Sequence, residues 1–240
     1  MVLSFWKQFH PDIKVLPATK LSYGLYPYKV VLSIKGAAML RNSSSFETQM
    51  SARRNINYGG SWRRPVEPSA RDLVLLERIR SWNMNIPVDV KMRIEDSSVQ
   101  VYSTNQSALV AFVKEVFEPE DRDHIVSVTA PADQKVLDII QAGYTYNPRR
   151  DLDYRFRVNV RDGRYDIETR ANLLSILESQ GDQVRVPPGT RKMMEKTNGE
   201  YIWGAYFYCN DENVNLLFAL VCPTFIRNID RYYSDAIPAE

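Results

Sequence analysis

Two stretches of this chain repeat one strand pattern, and this repeat limits its folds more than any other feature. YKVVLSIKG begins at Tyr28 and YRFRVNVRDG begins at Tyr154, an offset of 126 residues. Apolar residues alternate with polar or variable ones in both, which is the period of a strand with one buried face. The matched apolar positions are Val30, Leu32 and Ile34 in the first stretch and Phe156, Val158 and Val160 in the second.

A helical pattern follows each of these strands. ARDLVLLERIRSW places leucines and isoleucine at helical spacing after Ser69, which is suited to cap the helix start. TRANLLSILESQG does the same in the second half, with Thr169 as the predicted cap and Gly181 as the predicted stop.

Both halves continue with two strands, a helix and a last strand. The first pair is VDVKMRIED and SVQVYST, and the second is QVRVPPGTRKMMEK and EYIWGAYFYC, joined at Asn198-Gly199, a strong hairpin signal. NQSALVAFVKEVF and DENVNLLFALVC are the helices, with Asn105 and Asp211 as predicted caps. Tyr102 matches Tyr208, and Phe112 matches Phe218, at an offset of 106. The last strands start near His124 and Phe225.

Each half therefore has the order β-α-β-β-α-β, which resembles the ferredoxin-like unit. The predicted class is α+β, with two tandem units, each an antiparallel sheet with its helices on one face. We predict an N-terminal arm at residues 1–19, a first unit at 20–146 and a second unit at 147–240. PADQKVLDIIQAG adds a short helix, and YTYNPRRD is the predicted linker.

The first unit carries an insertion. The offset falls from 126 at the first strand to 98 at the first helix, so about 28 residues are added within 37–68. SARRNINYGGSWRRP lies there and has four arginines and no acid. Such a loop buries little apolar surface, and its residue types bind phosphate and stack on bases. The predicted phosphate contacts are Arg53, Arg54, Arg63 and Arg64, and the predicted stacking residues are Tyr58 and Trp62. The alternative is pairing of these arginines with acidic residues of this chain or of a protein partner.

Aromatic residues occupy both faces of EYIWGAYFYC. Period-2 alternation predicts Tyr201, Trp203, Ala205 and Phe207 on one face, and Ile202, Gly204, Tyr206 and Tyr208 on the other. Because two helices cover only one face of a sheet, the other would present aromatics to solvent or a partner. This resembles the RNA-recognition motif, which implies base stacking by Tyr201 and Trp203. The basic-glycine-aromatic opening of that family is missing, since Gly199-Glu200-Tyr201 stands there. Packing of the two units against each other, sheet to sheet, is the competing explanation of these aromatics.

Arginines alternate with apolar residues along the strand from Tyr154. Arg155 and Arg157 share the face opposite Phe156 and Val158, which would form a basic stripe for phosphate. Aspartates interleave with these arginines, so a solvated strand edge with internal ion pairs is the alternative.

Composition narrows the classes of function. Net charge is +2, so attraction for a polyanion must come from local patches. With two cysteines and two histidines, Cys209, Cys222, His10 and His124, the chain is poorly supplied for a metal site or a histidine-based triad. No apolar run reaches the roughly 18 residues of a membrane helix. We therefore expect no cofactor, no metal, no membrane partner and a cytoplasmic protein with free thiols.

The functional prediction is a non-enzymatic protein that binds single-stranded RNA or DNA, a type that suits a viral or phage accessory role. One alternative is a structural subunit of a homo-oligomer or larger assembly, in which the loop and Phe5, Trp6 and Phe9 of the N-terminal arm reach neighbouring chains. The other is an RNA-processing endonuclease, since the layout resembles the tandem ferredoxin-like enzymes of CRISPR systems. Their glycine-rich loop near the C-terminus has no counterpart here.

Overall fold

The structure is a computed structural model, and it describes residues 2–41, 46, 68–147, 154–196, 201–211, 213–214, 218, 220 and 224–233. The chain packs as two compact units, Met1–Gln141 and Ala142–Glu240. Each unit is α+β, with a five-stranded sheet and helices packed on it. The predicted α+β class is confirmed.

The first unit is a five-stranded sheet with two main helices against one face. The strands are β1 (Lys14–Pro17), β2 (Tyr28–Ser33), β3 (Val90–Glu95), β4 (Ser98–Ser103) and β5 (Ile125–Ala130). The helices are α1 (Val2–Phe9), α2 (Ala70–Met84), α3 (Gln106–Val116) and α4 (Gln134–Gln141), with 3-10 turns at Ala37–Arg41 and Pro119–His124. The sheet order is β1-β5-β2-β4-β3. Strand β1 runs parallel to β5, and the other neighbours are antiparallel.

Apolar alternation builds the core of the first unit as predicted. Val30 and Leu32 of β2 are fully buried, together with Leu76 of α2 and Phe112 of α3. Ser69 caps α2 through a capping box with Asp72.

The N-terminal helix belongs to this core. Trp6 is fully buried, and Phe5 and Phe9 pack against the same cluster. This differs from the alternative in which these aromatics reach a neighbouring chain, because the unit's own core takes up their apolar surface.

The start of the predicted insertion is also packed rather than free. Ala37, Met39 and Phe46 are buried in the first core. Arg41 donates from Nε to the carbonyl of Ile94 at 3.1 Å and lies 3.6 Å from a carboxylate oxygen of Asp96. The expectation that this loop buries little apolar surface is therefore wrong for its first residues.

The second unit repeats the strand order. Its strands are β6 (Thr145–Tyr146), β7 (Phe156–Val160), β8 (Gly163–Arg164), β9 (Val184–Arg185), β10 (Tyr201–Ile202), β11 (Tyr206–Cys209) and β12 (Ile226–Tyr233). The helices are α5 (Ile167–Ser179) and α6 (Pro188–Glu195), with a 3-10 turn at Gly181–Gln183, and residues 213, 214, 218 and 220 are also helical. The main sheet has the order β6-β12-β7-β11-β9, while β8 and β10 form a separate two-stranded ribbon.

Both sheets are mixed rather than purely antiparallel, which corrects the prediction. In each, a short fifth strand adds in parallel to the outer edge: β1 on β5 and β6 on β12. Strand β6 forms from Thr145 and Tyr146, which the sequence analysis placed in the linker.

The segment QVRVPPGTRKMMEK was predicted as one strand, and this is wrong. Only Val184 and Arg185 are extended, and Pro188–Glu195 is a helix. Pro188 favours a helix start because its fixed φ suits the first turn and its missing N–H has no helical partner there. The predicted hairpin turn at Asn198-Gly199 lies outside the described residues.

One further local prediction, Thr169 as the cap of the first helix of the second unit, is wrong. Helix α5 is capped by Asp166, whose carboxylate accepts from the Thr169 N–H at 2.7 Å, so Thr169 lies inside the first turn.

Among the helices of the described residues, none combines the length and the apolar run that a membrane span requires.

Candidate nucleic-acid interface

The face of the second sheet that lies opposite its core combines aromatic, cationic and amide side chains. Because Val158 and Val160 of β7 are buried in the core, Arg157 and Asn159 lie on the other face. Residues directly opposite across antiparallel strands share a face. Asn159 is opposite Tyr206 and Asn228, and Arg157 is opposite Tyr208 and Asp230. These residues, with Arg185 opposite Tyr208 and Tyr232 beyond Asp230, form what we call the tyrosine face.

Tyr208 contacts three other tyrosine rings, one of which is Tyr154, and we include Tyr154 in the tyrosine face. Tyr206 meets Tyr208 edge-on with centroids 5.5 Å apart, and Tyr208 meets Tyr232 at 6.2 Å. Tyr154, just before β7, stacks on Tyr208 at 6.0 Å with the ring planes 29° apart. Burial, followed by the neighbouring phenols of Tyr206 and Tyr232, raises the pKa of Tyr208. The rings therefore form a continuous aromatic surface.

Arg157 lies at the centre of the tyrosine face. Its guanidinium carbon is 3.8 Å from the centroid of the Tyr206 ring, a close cation–π contact. Its Nε is buried and has no hydrogen-bond partner among the described residues. A stacked guanidinium keeps its outer N–H groups available for phosphate or for a base.

Carboxylate and amide groups lie beside the rings. Asn159 donates from Nδ2 to one oxygen of Asp230 at 2.9 Å, and Asn228 donates to the other at 3.2 Å. These residues come from two adjacent strands, β7 and β12. The tyrosine face thus has a hydrogen-bonding cluster as well as stacking surfaces.

The strand EYIWGAYFYC does not run as one strand, which corrects the predicted alternation. Gly204 has a φ of +64°, and its N–H donates to Asp162 at 2.8 Å, so the chain turns there. Tyr201 and Trp203 therefore leave the phase of Phe207, which is fully buried. They are 57% and 74% exposed, on or beside the β8–β10 ribbon.

The predicted site residues fall into three groups. Arg157 lies on the strand face predicted for it, opposite Val158, whereas Arg155 is exposed and lies just before β7. Tyr201 and Trp203 are exposed but not on that sheet face. The remaining predicted contacts lie outside the described residues: Arg53, Arg54, Tyr58, Trp62, Arg63 and Arg64.

Of the tyrosine face, only Arg157 was predicted as a site residue, and eight others were missed: Tyr154, Asn159, Arg185, Tyr206, Tyr208, Asn228, Asp230 and Tyr232. A signal for three of them existed, because Asn228, Asp230 and Tyr232 alternate along one strand. What sequence alone lacks is the register that places this strand beside β7.

The first sheet has an equivalent face with a different cover. Tyr102 of β4 is only 5% exposed, and the rings of Tyr23 and Tyr26 meet it at 5.1 and 6.1 Å. The Lys91 ammonium lies 3.8 Å from the Tyr23 ring centroid, and Arg93 donates to the Tyr23 hydroxyl at 2.9 Å. Burial raises the pKa of Tyr102 to about 12, and the Arg93 hydrogen bond lowers the pKa of Tyr23.

Comparison of the sequence with known proteins does not assign the chain to a family. The sequence matches no protein-family model, and a search of curated proteins finds no match.

Proposed function

We propose that this protein binds single-stranded RNA or DNA without catalysing a reaction, and that the tyrosine face of the second sheet is the binding surface. The main support is a continuous aromatic surface, with Arg157 stacked on Tyr206. Its rings are Tyr154, Tyr206, Tyr208 and Tyr232. Aromatic rings on a sheet stack on unpaired bases, and arginines beside them neutralise the backbone. Single strands fit because their bases are not already stacked and paired.

The fold supports the same proposal. Leaving out the added edge strand, the first sheet has its four strands in the order 4-1-3-2, and the second repeats it. We infer from this repeat that the chain is a duplicated ferredoxin-like unit. Sheets of this topology expose one face when helices cover the other, and that face is where RNA-recognition motifs stack bases.

The charge distribution is the third support. Arg157 on β7 and Arg185 on β9 flank the strand that carries Tyr206 and Tyr208, and Arg155 comes just before β7, while the whole chain has a net charge of only +2. The arginine-rich segment Ser51–Pro65 remains a predicted second phosphate contact, and the proposal for the tyrosine face does not depend on it.

A salt-dependent binding measurement tests the proposal. Fluorescence anisotropy with labelled single-stranded RNA and DNA would compare the wild type with a Tyr206→Ala, Tyr208→Ala double variant. Loss of one stacked base costs about 1–3 kcal/mol, so we expect a loss of affinity of at least about fivefold. Log affinity should fall with log salt at a slope of about 0.7 per neutralised phosphate.

The matched control is Tyr23→Ala on the first unit, where the ring is 49% exposed. It removes one surface tyrosine from the loop that packs on the first sheet and should leave affinity unchanged. Absence of binding at low salt would contradict the proposal, as would equal affinities for the wild type and the double variant.

A further inference from the structure

The hydrogen-bonding cluster of Asn159, Asn228 and Asp230 on the tyrosine face is suited to contact the polar edge of a base. Asp230 lies on the same strand and the same face as Tyr232, two residues away, which is about 7 Å along a strand. It is opposite Arg157 on β7, and Tyr208 lies opposite Arg157 on the other side, two strands from Asp230. A base stacked on Tyr208 or Tyr232 therefore brings its polar edge within reach of this carboxylate.

Two amides hold the carboxylate in place. Asn159 and Asn228 each donate to a different oxygen of Asp230, at 2.9 and 3.2 Å. Since a carboxylate only accepts, both amides must present their NH₂ groups to it. Each carboxylate oxygen has two acceptor sites, so a second hydrogen bond to each oxygen remains available. The carboxylate is thus orientated before any ligand arrives.

Only one of the common bases presents two adjacent donors to such a group. Guanine offers N1–H and the N2 amino group side by side on its Watson–Crick edge. Adenine and cytosine each place an acceptor nitrogen next to their amino group, and uracil and thymine flank one N–H with two carbonyls. A carboxylate therefore pairs with both donors of guanine and meets an acceptor on each of the others.

We propose that Asp230, held by Asn159 and Asn228, makes the tyrosine face selective for an unpaired guanine. This inference rests on the proposed function, since it names the base that the same surface prefers. The base stacks on the tyrosines, the Asp230 oxygens accept from N1–H and N2–H, and the arginines contact the flanking phosphates.

The test uses the full-length protein and short oligonucleotides in anisotropy titrations. Uridine decamers with one central guanosine, adenosine, cytidine or inosine serve as probes, alongside the DNA equivalents on a thymidine background. We expect guanosine to bind about 5- to 100-fold more tightly than adenosine or cytidine, as for a bidentate base contact. Inosine lacks the N2 amino group and should fall between them.

Asp230→Asn is the deciding variant, because it keeps the size of the side chain and turns one acceptor into a donor. We expect it to abolish the guanosine preference while affinity for plain uridine stays the same or rises. Glu178→Gln is the matched control, since it removes one negative charge from helix α5 of the same unit. It should retain the preference in full.

The outcomes separate the two proposals. Wild-type protein that binds all decamers equally overturns the guanine inference and leaves the proposed function standing, as does a preference that survives Asp230→Asn. Inosine that binds as tightly as guanosine overturns the two-donor contact. Absence of binding to every decamer at low salt overturns both.

Discussion

The two sheets share a strand order, yet their open faces differ in what covers an equivalent tyrosine. Tyr102 on β4 and Tyr208 on β11 occupy matching places in the two sheets. In the first unit, Tyr23 and Tyr26 of the loop before β2 cover Tyr102, which leaves 5% of it exposed. In the second unit, Tyr208 is half-buried within a row of tyrosines, next to an arginine stacked on one of them.

This difference shows how one topology can serve two purposes. On the open face of the first sheet, Lys91 and Arg93 each contact Tyr23. The second unit arranges Arg157, Asn159 and Asp230 between tyrosines from different strands. The first face completes its own unit, whereas the second presents groups suited to a ligand.

The largest expected effect concerns the matched core residues Phe112 and Phe218. Both are fully buried, each in the core of its own unit. Replacing either by alanine should lower the free energy of unfolding by about 3–5 kcal/mol, through lost burial and the cavity left behind. Hydrogen exchange after each substitution should show lost protection in the strands of the altered unit. Equal loss in both units would contradict the division into two separate cores.

Next in size is the effect of the stacked arginine on binding. Arg157→Ala should weaken single-strand binding by about 1–2 kcal/mol, because the cation–π contact and a phosphate contact are both lost. The slope of log affinity against log salt should fall by about 0.7–0.9. Arg93→Ala makes the same charge change on the first sheet and should leave both quantities unaltered. If the two variants weakened binding equally, the two faces would not differ as proposed.

The second unit has a turn at Gly204 between β10 and β11, whereas β4 of the first unit is unbroken. A substitution at Gly204 tests the role of this turn. Gly204→Ala should destabilise the protein by about 1 kcal/mol, because an alanine at φ +64° is strained. Nothing lies within 4 Å of the added Cβ, so the backbone alone carries this cost. Gly189→Ala in helix α6 also meets open space and should be neutral or stabilising. Chemical denaturation measures both, and equal stabilities would remove the argument for strain at Gly204.

The last expected effect is the titration of Tyr102, the covered tyrosine of the first sheet. Its folded pKa is raised to about 12, against about 10 for an unfolded phenol. The unfolded state therefore loses its proton first, and stability falls as pH rises from about 10 to 12.

A difference titration of phenolate absorbance between the wild type and Tyr102→Phe should show a group with a midpoint near 12. The corresponding Tyr23→Phe difference should have its midpoint below 10, because Arg93 stabilises that phenolate. A midpoint near 10 for Tyr102 would show that the loop does not cover its ring.

Local patterns in the sequence predicted most of the elements because each half repeats the same alternation. Ser69 and Asn105 cap the helices assigned to them, and Asp96 opens the tight turn between β3 and β4 with a φ of +50°. The α6 helix was missed because Val184–Val186 look extended and Asn198-Gly199 suggests a hairpin. Pro188, which suits the first turn of a helix, favours the helix over the predicted strand.

The candidate site was harder to predict than the elements. Tyr206 and Tyr208 could be placed on one face by alternation alone. Asp230 and Asn228 could not, because their position beside β7 depends on the register between strands distant in sequence. The bulge between Ile226 and Asn228 shifts this register further, and no local pattern shows it.

Photo-crosslinking of the full-length protein to a single-stranded RNA, followed by mass spectrometry, tests the central claim most directly. The tyrosine face predicts crosslinks to peptides that contain Tyr206, Tyr208 or Tyr232, and none to Tyr102 of the first sheet. Crosslinks confined to the first unit, with the second sheet unmodified, would contradict the account.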